Sequence, residues 1–156
     1  MMDDRRLRPP ETGEATLGTL VEHGVFETKQ NALTFAAALG FYLGKREPIQ
    51  KAGEGIRWQV FERSQDAAFI YSLGLAEAGA INILGPEQED TLAEIFEQYA
   101  SGGLKYIAEN FIDRPGDILD NLLLLIADAR KAATGPIPGL EGLTAADLGL
   151  LGGLAS

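Results

Sequence analysis

Residues 26–48 read FETKQNALTFAAALGFYLGKREP, and this stretch decides the fold. From Ala32 to Leu43 only Thr34 is strongly polar, so a helix here is apolar on almost every side and has to be wrapped by other elements. Thr28 is placed to cap its start, and Pro48 stops it soon after Gly44. The same reading predicts that Leu33, Phe35, Leu39 and Phe41 are buried, with the small residues Ala36, Ala37 and Gly40 letting a neighbouring helix approach. A core helix of this kind holds a fold together and performs no reaction. Function has to be read elsewhere.

On the N-terminal side, Thr16 to His23 carries Leu17, Leu20 and Val21 on one face, and Gly24 offers a stop with His23 beside it as a C-terminal cap. The opening MMDDRRLRPP lacks the apolar run of a signal peptide, and residues 1–13 are predicted to form a flexible arm. On the C-terminal side, Ile56 to Phe61 has the β-branched and aromatic character of a short strand, with an ordered loop docking Trp58 as the alternative. Ser64 is placed to cap a third helix ending at Gly79. Beyond Gly85-Pro86 an amphipathic helix presents Leu92, Ile95, Phe96 and Tyr99 on one face, with Glu87, Glu94 and Glu97 towards water. Gly102-Gly103 then kinks it or separates it from a segment carrying Leu104, Ile107, Ala108 and Phe111.

Asp117 to Lys131 keeps a helical frame through the run Leu122 to Ile126, and Arg130 and Lys131 suit the negative end of a helix. The expected architecture is all-α (mainly α): a single compact domain over residues 14–134 with about five to six helices and one short β element near 56–61. Residues 135–156 are expected to form a Pro/Gly linker and a short Leu-rich C-terminal helix, with Leu148, Leu151 and Leu154 as candidate partner contacts.

Composition narrows the function classes. The absence of cysteine removes disulfides, thiolate nucleophiles and Cys-ligated metals, and fits a cytoplasmic protein. No apolar run is long enough to suggest a membrane span. Through Arg63 nine basic residues balance nine acidic ones, whereas the remainder has four against fourteen and carries the whole net charge of -10. A broad DNA-gripping face needs the opposite balance, so any DNA contact is expected to be weak, local and N-terminal.

Catalytic patterns are sparse. His23 is the only histidine, and no GxxxxGK or GxGxxG loop is present. Glu11 followed by Glu27-Thr28-Lys29 loosely resembles the acid and ExK set of magnesium-dependent nucleases, but Thr28 opens a helix where that chemistry needs adjacent strands. Asp113, Asp117 and Asp120 offer oxygen ligands, yet Asp117 and Asp120 fit helix-start acids equally well. The expectation is no catalytic residue, no cofactor and no metal.

Four stretches, GVFETKQNALTFAAALGFYLGKREPI, IRWQVF, YASGGLKYI and DNLLLLI, together resemble the small proteins encoded beside bacterial DNA phosphorothioation (dnd) clusters, the dnd system-associated family. The likeness spans about residues 5 to 130. It implies a cytoplasmic accessory protein of a DNA-defence system, a restriction-modification setting directed at phage, with other modification or restriction proteins as partners and self-association left open. It carries no catalytic residue. The alternative is a small DNA-binding regulator, because TKQNALTFAAALGFYLGKR resembles the first helix of ribbon-helix-helix repressors. In that reading Arg5, Arg6, Arg8, Lys45 and Arg46 form one basic patch on DNA.

Overall fold

A computed structural model of the chain describes residues 2–133. It is mainly helical: α1 (Glu14–Glu22), α2 (Lys29–Tyr42), α3 (Trp58–Arg63), α4 (Asp66–Ala78), α5 (Glu89–Ile107) and α6 (Ile118–Ala132). Two short strands, β1 (Arg6–Leu7) and β2 (Ile56–Arg57), pair antiparallel. The chain divides into two compact units, residues 1–118 and 119–156, and α6 from Leu119 onward lies in the second.

The core of the first unit is the packing of α2 on α5. Thr28 caps α2 by accepting a hydrogen bond from the Asn31 N–H (3.1 Å), which satisfies one of the donors a helix start leaves open. Ala32, Leu33, Ala36, Ala37, Leu39 and Gly40 are buried as the pattern requires. Phe35, expected buried, is only half-buried, and the last turn departs further, because Phe41 and Tyr42 are 41% and 54% exposed: only one flank of the helix end is covered. Phe41 still packs edge-on against Tyr99, with ring centroids 5.4 Å apart.

Gly102-Gly103 does not separate two segments: helix α5 continues through the pair, and a single π-helical turn, Ala108–Ile112, follows. The glycines are there for contact: a β-carbon at Gly40 would lie 2.0 Å from the Tyr99 carbonyl oxygen, and one at Gly102 would lie 2.0 Å from that of Lys45.

Residues 56–61 also differ from expectation. Only Ile56 and Arg57 are strand, and Trp58 begins α3, whose Trp58 and Phe61 are fully buried. Burial of these two aromatics one turn apart outweighs their strand preference. Ser64 is the C-terminal cap of α3, and its hydroxyl donates to the Phe61 carbonyl (3.1 Å). Gln65 leads into α4 with φ 68, a left-handed conformation uncommon outside glycine. Buried Gln30 ties this corner to α2, donating to the Ser64 hydroxyl (2.8 Å) and to the Asp66 carboxylate, which also accepts from Thr34 (3.1 Å).

The N-terminal residues, expected as a flexible arm, are instead tied down. Leu7 is fully buried, the Gly53 N–H donates to the Pro9 carbonyl (2.7 Å), and the Glu11 N–H donates to the Lys51 carbonyl (2.9 Å). No described helix is long and apolar enough to cross a membrane.

Candidate functional site

The β1–β2 ribbon positions a group of arginines. Leu7 opposes Ile56 and Arg6 opposes Arg57, so Leu7 turns inward to the core while Arg6 and Arg57 share the outer face. The Trp58 N–H donates to the Arg5 carbonyl (2.8 Å), which makes Arg6 and Arg57 the non-hydrogen-bonded pair, the closer of the two pairings in an antiparallel ladder. Gly55 leaves room beside them. A β-carbon there would lie 2.7 Å from Arg6 Cβ and 3.1 Å from Arg8 Cγ, so the stems of Arg6 and Arg8 both cross this glycine. Arg6 Nη1 is held by a hydrogen bond to the Gly55 carbonyl (3.0 Å). None of Arg6, Arg8 and Arg57 forms a salt bridge among the described residues.

Beside the ribbon, Asp4, Arg5, Arg6, Arg8, Glu89 and Glu97 line an open depression of about 490 Å³. Arg5 is already neutralised by a salt bridge to Asp90. Glu97, expected to face water, is instead half-buried and accepts a hydrogen bond from the Arg8 N–H (2.8 Å). Burial pushes its carboxyl above the usual carboxylate range, against the opposing pull of that hydrogen bond and of Arg5 and Arg8.

The five basic residues singled out from sequence are thus employed differently. Arg5, Arg6 and Arg8 share the depression, whereas Lys45 and Arg46 follow α2 and engage α5. Arg46 donates to Gln98 (2.6 Å) and pairs with Glu77 (2.9 Å), and its guanidinium lies 5.9 Å from the Tyr99 ring centroid. Lys45 lies the same 5.9 Å from the ring of Tyr106. Arg57, which no sequence pattern marked, joins Arg6 through strand pairing alone.

A cleft of about 730 Å³ lies elsewhere in the first unit, lined among others by Gly13, Thr16, Pro48, Ser101 and Leu104. Its rim carries Lys51 paired with Glu11 (2.9 Å) and Lys105 near Glu47 (4.0 Å). Glu11 is therefore in the cleft rim while Glu27 and Lys29 flank the cap of α2, and the nuclease-like set does not occupy adjacent strands. His23 ends α1, with its N–H on the Thr19 carbonyl and Gly24 at φ 69. Among the described residues no three His, Cys, Asp or Glu side chains gather as metal ligands would.

Helix α6 exposes Leu119, Leu123 and Ile126 at i, i+4 and i+7, together with Leu124. The Leu148, Leu151 and Leu154 contacts anticipated from sequence lie outside the described residues. Comparison with curated proteins and with solved structures returns no match. The family model for DNA sulphur modification system-associated protein 4 matches residues 6–136, which include both strands, all six helices and the arginines of the ribbon, and the chain belongs to that family.

Proposed function

We propose that this chain is a non-enzymatic accessory protein of a bacterial DNA sulphur-modification or restriction system, acting in the cytoplasm by binding another protein of that machinery. The observation that carries the reading is the apolar stripe of α6, where Leu119, Leu123 and Ile126 stand at helical spacing with their side chains exposed. An amphipathic helix with an open apolar stripe is a common form of protein-recognition element. The family supplies the setting, a DNA sulphur modification system, and this supports a partner drawn from that machinery.

The test is affinity purification of the full chain from its native host followed by mass spectrometry, beside the variant Leu123→Asp. Leu123 is 53% exposed, so this change is expected to leave the fold intact. Co-purification of modification or restriction proteins with the wild type and their loss from the variant supports the reading. Absence of those proteins from the wild-type sample, or equal recovery with both, refutes it.

A further inference from the structure

We infer that the outer face of the β1–β2 ribbon, formed by Arg6, Arg8 and Arg57, is a contact site for the phosphodiester backbone of nucleic acid. Strand register places two guanidinium side chains opposite each other at the closer kind of cross-strand pair, and a third crosses the same glycine. Like charges in that position repel and weaken the pairing unless an anion sits between them. No carboxylate forms a salt bridge with any of the three among the described residues. The neighbouring Arg5 shows the contrast, because Asp90 neutralises it. The face is held in shape without an anion by buried Leu7 beneath it and by the hydrogen bond from Arg6 to the Gly55 carbonyl.

Guanidinium groups match phosphate oxygens with paired donors, and each keeps its charge at any physiological pH. The nearby acids limit the footprint. Asp4, Glu89 and Glu97 line the adjoining depression, and the chain carries a net charge of -10, so a duplex can be touched over only a few phosphates and not gripped along a broad face. The contact is one of charge with backbone and reads no base sequence.

The experiment is a fluorescence-anisotropy titration of the purified full chain with a short labelled duplex at several salt concentrations. With three phosphate contacts the logarithm of the binding constant should fall against that of salt with a slope of about -2.7, a loss of about 40-fold between about 50 and about 200 mM. Arg8→Gln should make the slope shallower by about one, and Arg6→Gln combined with Arg57→Gln by about two. Lys105→Gln, an equal charge change on the cleft rim, should leave the slope unaltered. In the absence of DNA, Arg57→Gln should melt no lower than wild type, because it relieves a like-charge pair; this separates lost contact from lost fold.

Failure to bind duplex at low salt, binding that the arginine changes leave intact, or binding of inorganic triphosphate at this face without binding of DNA would each overturn the inference. The assay uses the isolated chain, so its outcome is independent of whether a protein partner is found.

Discussion

Gly103 of α5 rests against the backbone carbonyl of Ala36 in α2, so closely that a β-carbon at Gly103 would stand 1.8 Å from that oxygen. The obstacle is main chain and cannot rotate aside, so the two helices have to move apart to admit a methyl group. In an exposed helix the same exchange would gain about 1 kcal/mol from helix propensity. Here overpacking should dominate, and Gly103→Ala is expected to destabilise the chain by about 1–3 kcal/mol or more. Thermal melting checks this, and an unchanged or higher melting temperature would show that the helices do not meet at this point. Ala37→Leu, at another buried small position of α2, should act in the same direction.

Two carboxylates shifted to opposite sides of their ordinary range contribute to the pH response with opposite signs. The Tyr99 hydroxyl donates to Glu77, and this hydrogen bond together with Arg46 lowers the Glu77 pKa against the opposing effect of burial. Its stabilisation is present above the ordinary carboxylate range and is lost as pH falls through the lowered value. Glu97 has the opposite sign: burial raises its pKa, so its contribution is fully present in acid and is lost as pH rises through the raised value. Denaturant unfolding between about pH 3 and about pH 8 should therefore show a flattened acid limb for Glu77→Gln. Glu97→Gln should gain stability at neutral pH and lose that gain in acid. The reverse order would contradict the assigned causes.

No cleavage of plain or phosphorothioated DNA is expected from the purified chain with magnesium or manganese. Glu11 is held by Lys51, and Thr28 opens α2 between Glu27 and Lys29, an arrangement that does not place two carboxylates and a lysine side by side on strands. Cleavage that disappears in both Glu27→Ala and Lys29→Ala would restore the nuclease reading.

The parts of the fold that could be read in advance are those set by local periodicity. Thr28 as a cap, the buried face of Leu92, Ile95, Phe96 and Tyr99, and the helical frame through Leu122 to Ile126 all follow from residues within a few turns of one another. What escaped depends on distant partners. Trp58 to Arg63 carries strand-like residues yet is helical because Trp58 and Phe61 find a core, with Phe61 edge-on to Phe96 at 5.7 Å. Gly102-Gly103 has the look of a break, and only the position of α2 makes it a contact. Arg57 joins Arg6 through register alone, and Glu97 turns inward because the Arg8 N–H meets it. The basic patch of Arg5, Arg6, Arg8, Lys45 and Arg46 followed from the ribbon-helix-helix likeness, while the fold engages Arg5, Lys45 and Arg46 elsewhere and pairing across the ribbon adds Arg57.

The glycine contacts between α2 and α5 also have a kinetic consequence. Gly40, Gly102 and Gly103 bring backbone to backbone, so there is no side chain whose rotation could admit water, and the amides around them open to solvent only when the helices separate. Their hydrogen exchange should therefore be among the slowest in the first unit and report its global unfolding free energy. Any ligand that binds only the folded first unit should slow these amides together, by a factor set by its concentration and affinity. Deuterium uptake at this crossing thus offers a gauge for nucleic acid on the β1–β2 ribbon, read at a place that the nucleic acid does not touch.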